Sequence, residues 1–400
     1  MSQQRECSNW IESYLEFTDN SEPPYLFRKW VAVNVIAACL RRKCYLPWGS
    51  ETFFPNMYIV LVGPPGKARK GTAMKPGQKM LRDCNIKLAA ESITREALVR
   101  ELKNSSETII DPKTGEMEFH SSLTVFSKEL SVFLGYNNQQ LMMDLTDWFD
   151  CDDSWTYRTK HQGTDDIIGV WLNLIGATTP QLIRTSMPSD AIGLGLASRI
   201  VFVYEHKKAK TVVDPFPTKY ELELRYKLMD DLDRIKMIQG PFQISEDFIL
   251  RWSEWYPAQD DNPPFDNELF AGYFERRGTH VMKLSIIMNV ARTNSMVITK
   301  VDLDNAIKLL TDTEVKMPYT FSGMGKSSHA EVLSRVMLEV GQRGEVRFGE
   351  LVDMFKYDAS GFDMRRIVET LEMSGYATKE GLGTSEAKAI IRYNKEEEEE

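Results

Sequence analysis

Apolar residues along this chain follow two rhythms. Short, predominantly apolar runs occur at 58–62, 123–126, 170–175 and 199–204, and stretches of helical spacing, notably 93–102 and 139–149, lie between them. Strands that are apolar throughout are buried on both faces, so the alternation predicts an α/β fold with a parallel sheet flanked by helices. Residues 1–55 read as a helical N-terminal segment. There Pro23-Pro24 open a helix that carries Trp30, Val33, Ile36, Ala37 and Leu40 at helical intervals. From about 211 to 320 the period is helical again, at 246–255, 273–292 and 302–315. Residues 327–394 run in winged-helix order: a helix, a short strand at 345–348, two helices and a Gly-rich β turn. The expected division is therefore 1–55, a core at 56–210, a helical segment at 211–320, a winged helix at 327–394 and an acidic tail at 395–400.

The first apolar strand, Tyr58-Ile-Val-Leu-Val62, runs directly into Gly63-Pro64-Pro-Gly66-Lys-Ala-Arg-Lys70-Gly71-Thr72. A glycine-rich turn between a buried strand and a helix lets backbone N–H groups approach a triphosphate. A lysine then neutralises the outer phosphates, and a hydroxyl holds Mg2+. Gly63, Pro64, Gly66, Lys70, Gly71 and Thr72 are thus the candidate ATP-binding set of a P-loop NTPase, with Thr72 as the metal-side hydroxyl. The spacing is irregular, because Lys70 arrives one residue late and Gly71 separates it from Thr72. The competing reading is a Gly-Pro turn with a basic helix start. A second GKS at 325–327 lacks the preceding apolar strand and reads as a linker.

Composition narrows the classes. No stretch is long enough to span a membrane, since the most apolar one, 30–40, ends in Arg41-Arg42-Lys43. The N-terminus is polar and reads as no signal peptide. Five cysteines without CxxC or zinc spacing suit reduced thiols in a bacterial or host cytoplasm, with neither disulfides nor structural zinc expected. The net charge of −9 provides no global counterion-release term, so any contact with nucleic acid must come from local basic positions.

Phosphoryl transfer needs a carboxylate that orients water at the end of a second strand. Glu129, after Leu123-Thr-Val-Phe126-Ser127-Lys128, occupies that place. Lys128 stands where a metal-linked Asp is usual, leaving Mg2+ to water, Ser127 or Thr72. The alternative is an exposed Glu starting a helix. At the end of the third strand Thr178 is the first choice for a group beside the phosphates and Asn173 the second, because ligands of open α/β sheets collect at the strands' carboxyl ends. Asp144, Asp147, Asp150, Asp152 and Asp153 suggest a two-metal nuclease only weakly, and a helix ending in a solvated acidic loop explains them better. Alternating residues and a glycine in Trp155-Thr-Tyr157-Arg158-Thr-Lys160-His161-Gln-Gly163 predict a β hairpin. In the C-terminal module, 361–374 is a candidate recognition helix with Arg365 and Arg366, but the module's acids slightly outnumber its bases.

Gly193-Leu-Gly195-Leu-Ala-Ser198-Arg199 leads straight into Ile200-Val-Phe-Val-Tyr204. Here the chain resembles the AAA+ ATPases, especially replicative helicases of the minichromosome-maintenance type. Through Pro55-Asn-Met-Tyr58 to Lys70-Gly-Thr-Ala73 it also resembles phage-type helicase/primase ATPases, the likeness covering roughly 23–315. The resemblance implies that Arg199 is an arginine finger reaching a neighbouring subunit's nucleotide, and hence a homo-oligomeric ring, a hexamer by expectation. It makes the hairpin a channel element with Lys160 at the basic tip on single-stranded DNA, Arg158 and His161 flanking and Tyr157 available for base stacking. It makes 211–320 a helical lid, the likeness lying in 274–287 and in the following helix at 301–310, with Arg277, or alternatively Arg276, as second-sensor arginine. His280 and Lys283 read as packing or surface residues. The expectation is an ATP- and Mg2+-dependent DNA helicase of a phage or mobile-element replication system, with a primase or other replication protein as possible partner. The alternatives are an ATP-dependent loader or assembly factor and a degenerate structural ATPase subunit.

Overall fold

The computed structural model describes residues 5–110, 115–135, 138–159, 163–187, 195–259, 262–265, 267–321, 329–381 and 386–394. They pack as two compact units, Met1–Thr320 and Phe321–Glu400. The N-terminal, core and 211–320 segments distinguished by periodicity belong to the first unit together.

Helix α1 (Trp10–Phe17) is capped by Asn9, whose side chain accepts from the N–H groups of Ile11 and Glu12. Helix α2 (Tyr25–Leu40) opens behind Pro24, and from Leu26 to Leu40 every residue but Lys29 is buried. A helix apolar on nearly all sides has to be enclosed, and α2 lies against the central sheet and the helix that follows the Gly63 turn. The expectation of helix throughout 1–55 fails after Lys43. There β1 (Cys44–Trp48) and β2 (Glu51–Phe53) form an antiparallel pair, Leu46 opposite Phe53. The aromatic and β-preferring residues of this stretch, Tyr45, Trp48, Thr52 and Phe53, favour a pleated surface.

The central sheet has five strands: β3 (Tyr58–Val62), β4 (Ser106–Ile110), β5 (Met117–Ser127), β8 (Val170–Thr178) and β9 (Ile200–Tyr204), in the order β4-β5-β8-β3-β9. Between β5 and β8 the chain inserts a hairpin of β6 (Ser154–Thr159) and β7 (Gly163–Ile168), as the alternation predicted. Strands β5, β8, β3 and β9 are parallel, while β4 runs antiparallel at the edge. The sheet is therefore mostly rather than wholly parallel. Every residue of β3, β8 and β9 is buried, which requires cover on both faces because successive side chains point to opposite sides. The register sets Val62 beside Thr178 and Tyr204, and Ser127 beside Gly176. The carboxyl ends of all four parallel strands thus meet at one edge of the sheet.

Helix α3 (Lys70–Asp83) follows β3, α4 (Arg95–Asn104) precedes β4, and α5 (Leu130–Leu134) and α6 (Gln139–Asp150) follow β5. Helix α7 (Pro180–Ser186) follows β8. After β9 come α8 (Lys219–Ile235), held by a Thr218–Glu221 capping box, then α9 (Glu246–Trp255), α10 (Ala271–Arg292) and α11 (Lys300–Glu314). Helix α10 is buried from His280 to Ala291 and is tied to the sheet side of the unit by polar contacts. Lys283 Nζ donates to Asn56 Oδ1 (2.6 Å) and to the Phe149 carbonyl (3.1 Å), and α11 is tied to α2 in turn, Trp30 Nε1 donating to Thr313 Oγ1 (2.8 Å).

The second unit has helices His329–Arg343, Phe348–Phe355 and Gly361–Met373 beside a three-stranded antiparallel sheet of Glu345–Arg347, Ile390–Tyr393 and Ala377–Glu380, in that spatial order. A helix, a short strand, two helices and a strand pair follow one another here, in the order expected for this segment. Val336, Val340, Leu351, Ile367, Val368 and Ile391 form its core. The 325–327 GKS and the 395–400 tail lie outside the described residues.

Candidate functional site

The sheet's ladder continues one step beyond β3 and pins the start of the glycine turn. Gly63 N–H donates to the Thr178 carbonyl (3.3 Å), and Glu205 N–H donates to the Val62 carbonyl (2.9 Å). A Cβ on Gly63 would lie 2.2 Å from the Glu205 carbonyl oxygen and 2.9 Å from Ala68 Cβ, so only glycine fits. The turn then reverses through Gly66 (φ +67°) and Arg69 (φ 55°), which caps α3 in the left-handed region. Helix α3 begins at Lys70, so Lys70, Gly71 and Thr72 present first-turn N–H groups that have no acceptor within the helix. Nothing stands within 4 Å of where a Cβ on Gly66 or Gly71 would be, and Thr72 is exposed.

Lys70 folds back over this turn, donating from Nζ to the Gly63 carbonyl (2.5 Å) and the Pro64 carbonyl (3.3 Å). Burial pushes its ammonium down to about 8, and the Glu129 carboxylate opposes the shift. The two residues that the sequence assigned to phosphate and to water are therefore within electrostatic reach of each other. Glu129 is exposed and caps α5, and Lys128 turns toward Glu91 (3.8 Å). Thr178 is buried beside the turn, with its carbonyl engaged by Gly63. Asn173 is excluded from the site. It sits mid-strand, its Oδ1 accepting from Met57 N–H (3.1 Å) and its Nδ2 donating to the Asn34 carbonyl (3.3 Å), so its amide serves the core.

Charged groups that the sequence did not single out surround the turn. Glu22, from the α1–α2 connection, accepts Arg69 Nε (2.7 Å) and Lys208 Nζ (2.7 Å). Glu205 accepts Lys316 Nζ at 2.8 and 3.0 Å. These partners are far apart in the chain, and no local motif signals them.

The two expected arginine roles are not what the structure displays. Arg199 lies before β9, at the sheet's amino edge, and is buried. Its NH2 pairs with Asp150 Oδ2 and its NH1 donates to the Gly195 carbonyl (3.2 Å). Asp150 also takes Arg276 (3.3 Å). The guanidinium expected to cross to a neighbour is thus consumed by a carboxylate of its own chain. Arg277 is likewise buried. It forms a fork on Glu314 (2.7 Å from Nε to Oε1 and 2.7 Å from NH2 to Oε2), with NH2 also donating to Thr311 Oγ1 (3.2 Å) and NH1 donating to Gln259 Oε1. It is a packing ion pair between α10 and α11 rather than a group turned to a nucleotide. His280 is enclosed, its Nε2 3.1 Å from the Ser198 carbonyl, and burial holds its imidazole down to about 3.

In the hairpin, Arg158 is exposed and donates Nε to Thr164 Oγ1 (3.0 Å). Tyr157 stacks on Trp155 (6.2 Å between centroids) and lies under the Arg95 guanidinium (4.6 Å), so its ring is already engaged inside the fold. Lys160 and His161 lie outside the described residues. The aspartates do not assemble into a metal site, and the expected solvated acidic loop is only part of the account. Asp144 takes a fork from Arg95 (2.6 and 3.0 Å), Asp153 takes Arg42 (2.6 Å), and among the described residues no group of three or more His, Cys, Asp or Glu is placed to hold an ion.

No family model matches the chain, and no curated protein matches it significantly.

Proposed function

We propose that the Gly63–Thr72 turn is a nucleotide-binding P-loop and that the chain is an ATPase. One observation carries this reading: Lys70 stands on the first turn of the helix behind β3, over a glycine-bounded loop, with Glu129, at the end of the next-but-one parallel strand, in electrostatic reach. First-turn N–H groups and an ammonium are the donor set that a triphosphate takes. ATP fits it, with Lys70 on the outer phosphates and Gly66 and Gly71 leaving room for close approach. Mg2+ would have Thr72 as its protein ligand, since Lys128 supplies no oxygen. Glu129 would hold and polarise the attacking water.

Within that class we read the chain as an AAA+-like DNA helicase subunit of a phage or mobile-element replication system. The support is the hairpin with exposed Arg158 and the winged-helix unit, joined to the nucleotide site in one polypeptide. Arg199 and Arg277 take no part in this reading, so a ring would need its completing cation from elsewhere. A loader, or a degenerate ATPase subunit, is the second reading, favoured by the internal pairing of both arginines. ATP turnover with and without single-stranded DNA, measured beside the particle's size, separates them. Stimulated turnover by a ring-sized species supports the motor, whereas unstimulated turnover supports the loader. Absence of ATP binding in the presence of Mg2+ removes the ATPase reading. Lys160→Ala should stop unwinding and spare turnover.

A further inference from the structure

Helix α3 is pressed so closely onto α2 that its orientation is fixed. A Cβ on Gly77 would lie 2.5 Å from Val31 Cγ1 and 3.0 Å from Val35 Cγ2, so the contact needs glycine there. Ala73, Met74, Gly77, Met80 and Leu81 are buried on the inner side. Lys75, Lys79 and Arg82, at i, i+4 and i+7, are exposed and share one outer face, about 10 Å from end to end at the helical rise. Cations on other helices of this chain have an acid one turn away: Lys219 faces Glu223 (3.8 Å), Arg234 faces Asp230 (2.7 Å) and Lys308 faces Asp312 (3.3 Å). On α3 the residue four after Lys75 is Lys79, and Asp83, four after Lys79, is taken by Arg225 (2.5 Å). Lys75 and Lys79 have no ion pair or hydrogen bond from their side chains among the described residues, and Arg82 has only Glu91 at 3.9 Å, a carboxylate it shares with Lys128 (3.8 Å). From residue 67 to residue 87 seven Lys or Arg stand with one acid, although the whole chain carries −9. Like charges one helical turn apart repel, so the row is unfavourable until a counter-charge covers it.

The complement of such a row is a polyanion with charges repeated along its length. Every exposed residue of α3 is polar, and its apolar face is already spent on the fold, whereas a helix that lies on a membrane buries its apolar face in lipid. A nucleic-acid backbone needs the cations alone, because Lys and Arg neutralise its phosphates whatever the base sequence. We propose that the outer face of α3 is a nucleic-acid contact, with Lys75, Lys79 and Arg82 on successive phosphates of one strand. The contact uses no residue of the 154–168 hairpin, and neither the Gly63 turn nor Lys70, so it stands or falls independently of nucleotide binding.

The test is fluorescence-anisotropy titration of the full chain, without nucleotide, against a labelled single-stranded DNA oligomer and the RNA of the same sequence, each at several salt concentrations. Lys75→Gln/Lys79→Gln/Arg82→Gln should bind about tenfold or more weakly, and its slope of log K against log salt should flatten by about 2, three lost phosphates at about 0.7 each. The changes are at exposed positions, Gln keeps the helix propensity, and the melting temperature should not fall. Lys219→Gln/Lys300→Gln/Lys308→Gln removes the same charge from other helices and should bind as the unaltered chain does. Selective loss in the first variant, with either oligomer or both, supports the contact and tells which backbone it takes. No binding by the unaltered chain or equal loss in both triple variants overturns it. Loss confined to Arg158→Gln overturns it while leaving the helicase reading in place. Loss of binding to phosphatidylglycerol vesicles in the first variant, with DNA and RNA binding intact, also overturns it.

Discussion

At the scale of single residues, Lys70 carries the most chemistry. Its ammonium titrates near 8 because burial disfavours the charge more than Glu129 restores it. On the proposed reading a triphosphate binds the protonated form, so binding would raise this value and take up protons around pH 8. ATP affinity should fall by about tenfold between pH 7 and pH 9, following the loss of ammonium. Lys70→Met should bind weakly at both values and show no such dependence. Calorimetry in buffers of different ionisation enthalpy reads the proton uptake directly. Arg199 makes an opposite kind of prediction. Because it closes an internal pair, Arg199→Ala should cost about 2 kcal/mol of stability, the half-exposed Asp150 keeping the loss below that of a fully buried pair. Denaturant melts of Arg199→Ala, Asp150→Ala and the double variant would yield strong coupling, and a stable Arg199→Ala protein lacking only turnover would contradict the structural assignment.

At the scale of elements, Gly63→Ala is the sharpest probe of the turn. The added methyl meets a backbone carbonyl that belongs to the neighbouring strand's continuation, so relief requires the sheet's edge to shift. We expect about 1–3 kcal/mol of destabilisation and loss of ATP binding together, measured by thermal melting and nucleotide titration. The strands and the turn were legible beforehand because they depend on local pattern. Tyr58–Val62 is unbroken in sequence and buried in the fold, and the 154–168 hairpin is spelled out by alternation around Gly163. The pair at Cys44–Phe53 was missed because it adjoins a strong helix and is short. The antiparallel edge strand Ser106–Ile110 was missed because its burial alternates and its polar positions resemble a loop. Arginine roles were the least legible. Sequence places Arg199 and Arg277 beside the right elements, but which carboxylate waits for each is settled by residues 49 and 37 positions away.

At the scale of the whole molecule, two compact units predict two separable foldings. A chain ending at residue 320 should stay folded and keep the proposed nucleotide binding, and 329–394 alone should melt as a small cooperative domain, both readable by circular dichroism and calorimetry. The larger unit is different in kind. Lys283 on Asn56, Thr313 under Trp30, Arg276 on Asp150 and Lys316 on Glu205 stitch the helices after residue 270 to the sheet and its flanking helix at several points. To swing as a hinged flap those helices would have to break these contacts. If the proposed nucleotide binds, Lys70 has to let go of its own loop carbonyls, and a response confined to the connecting turns would leave these fastenings intact.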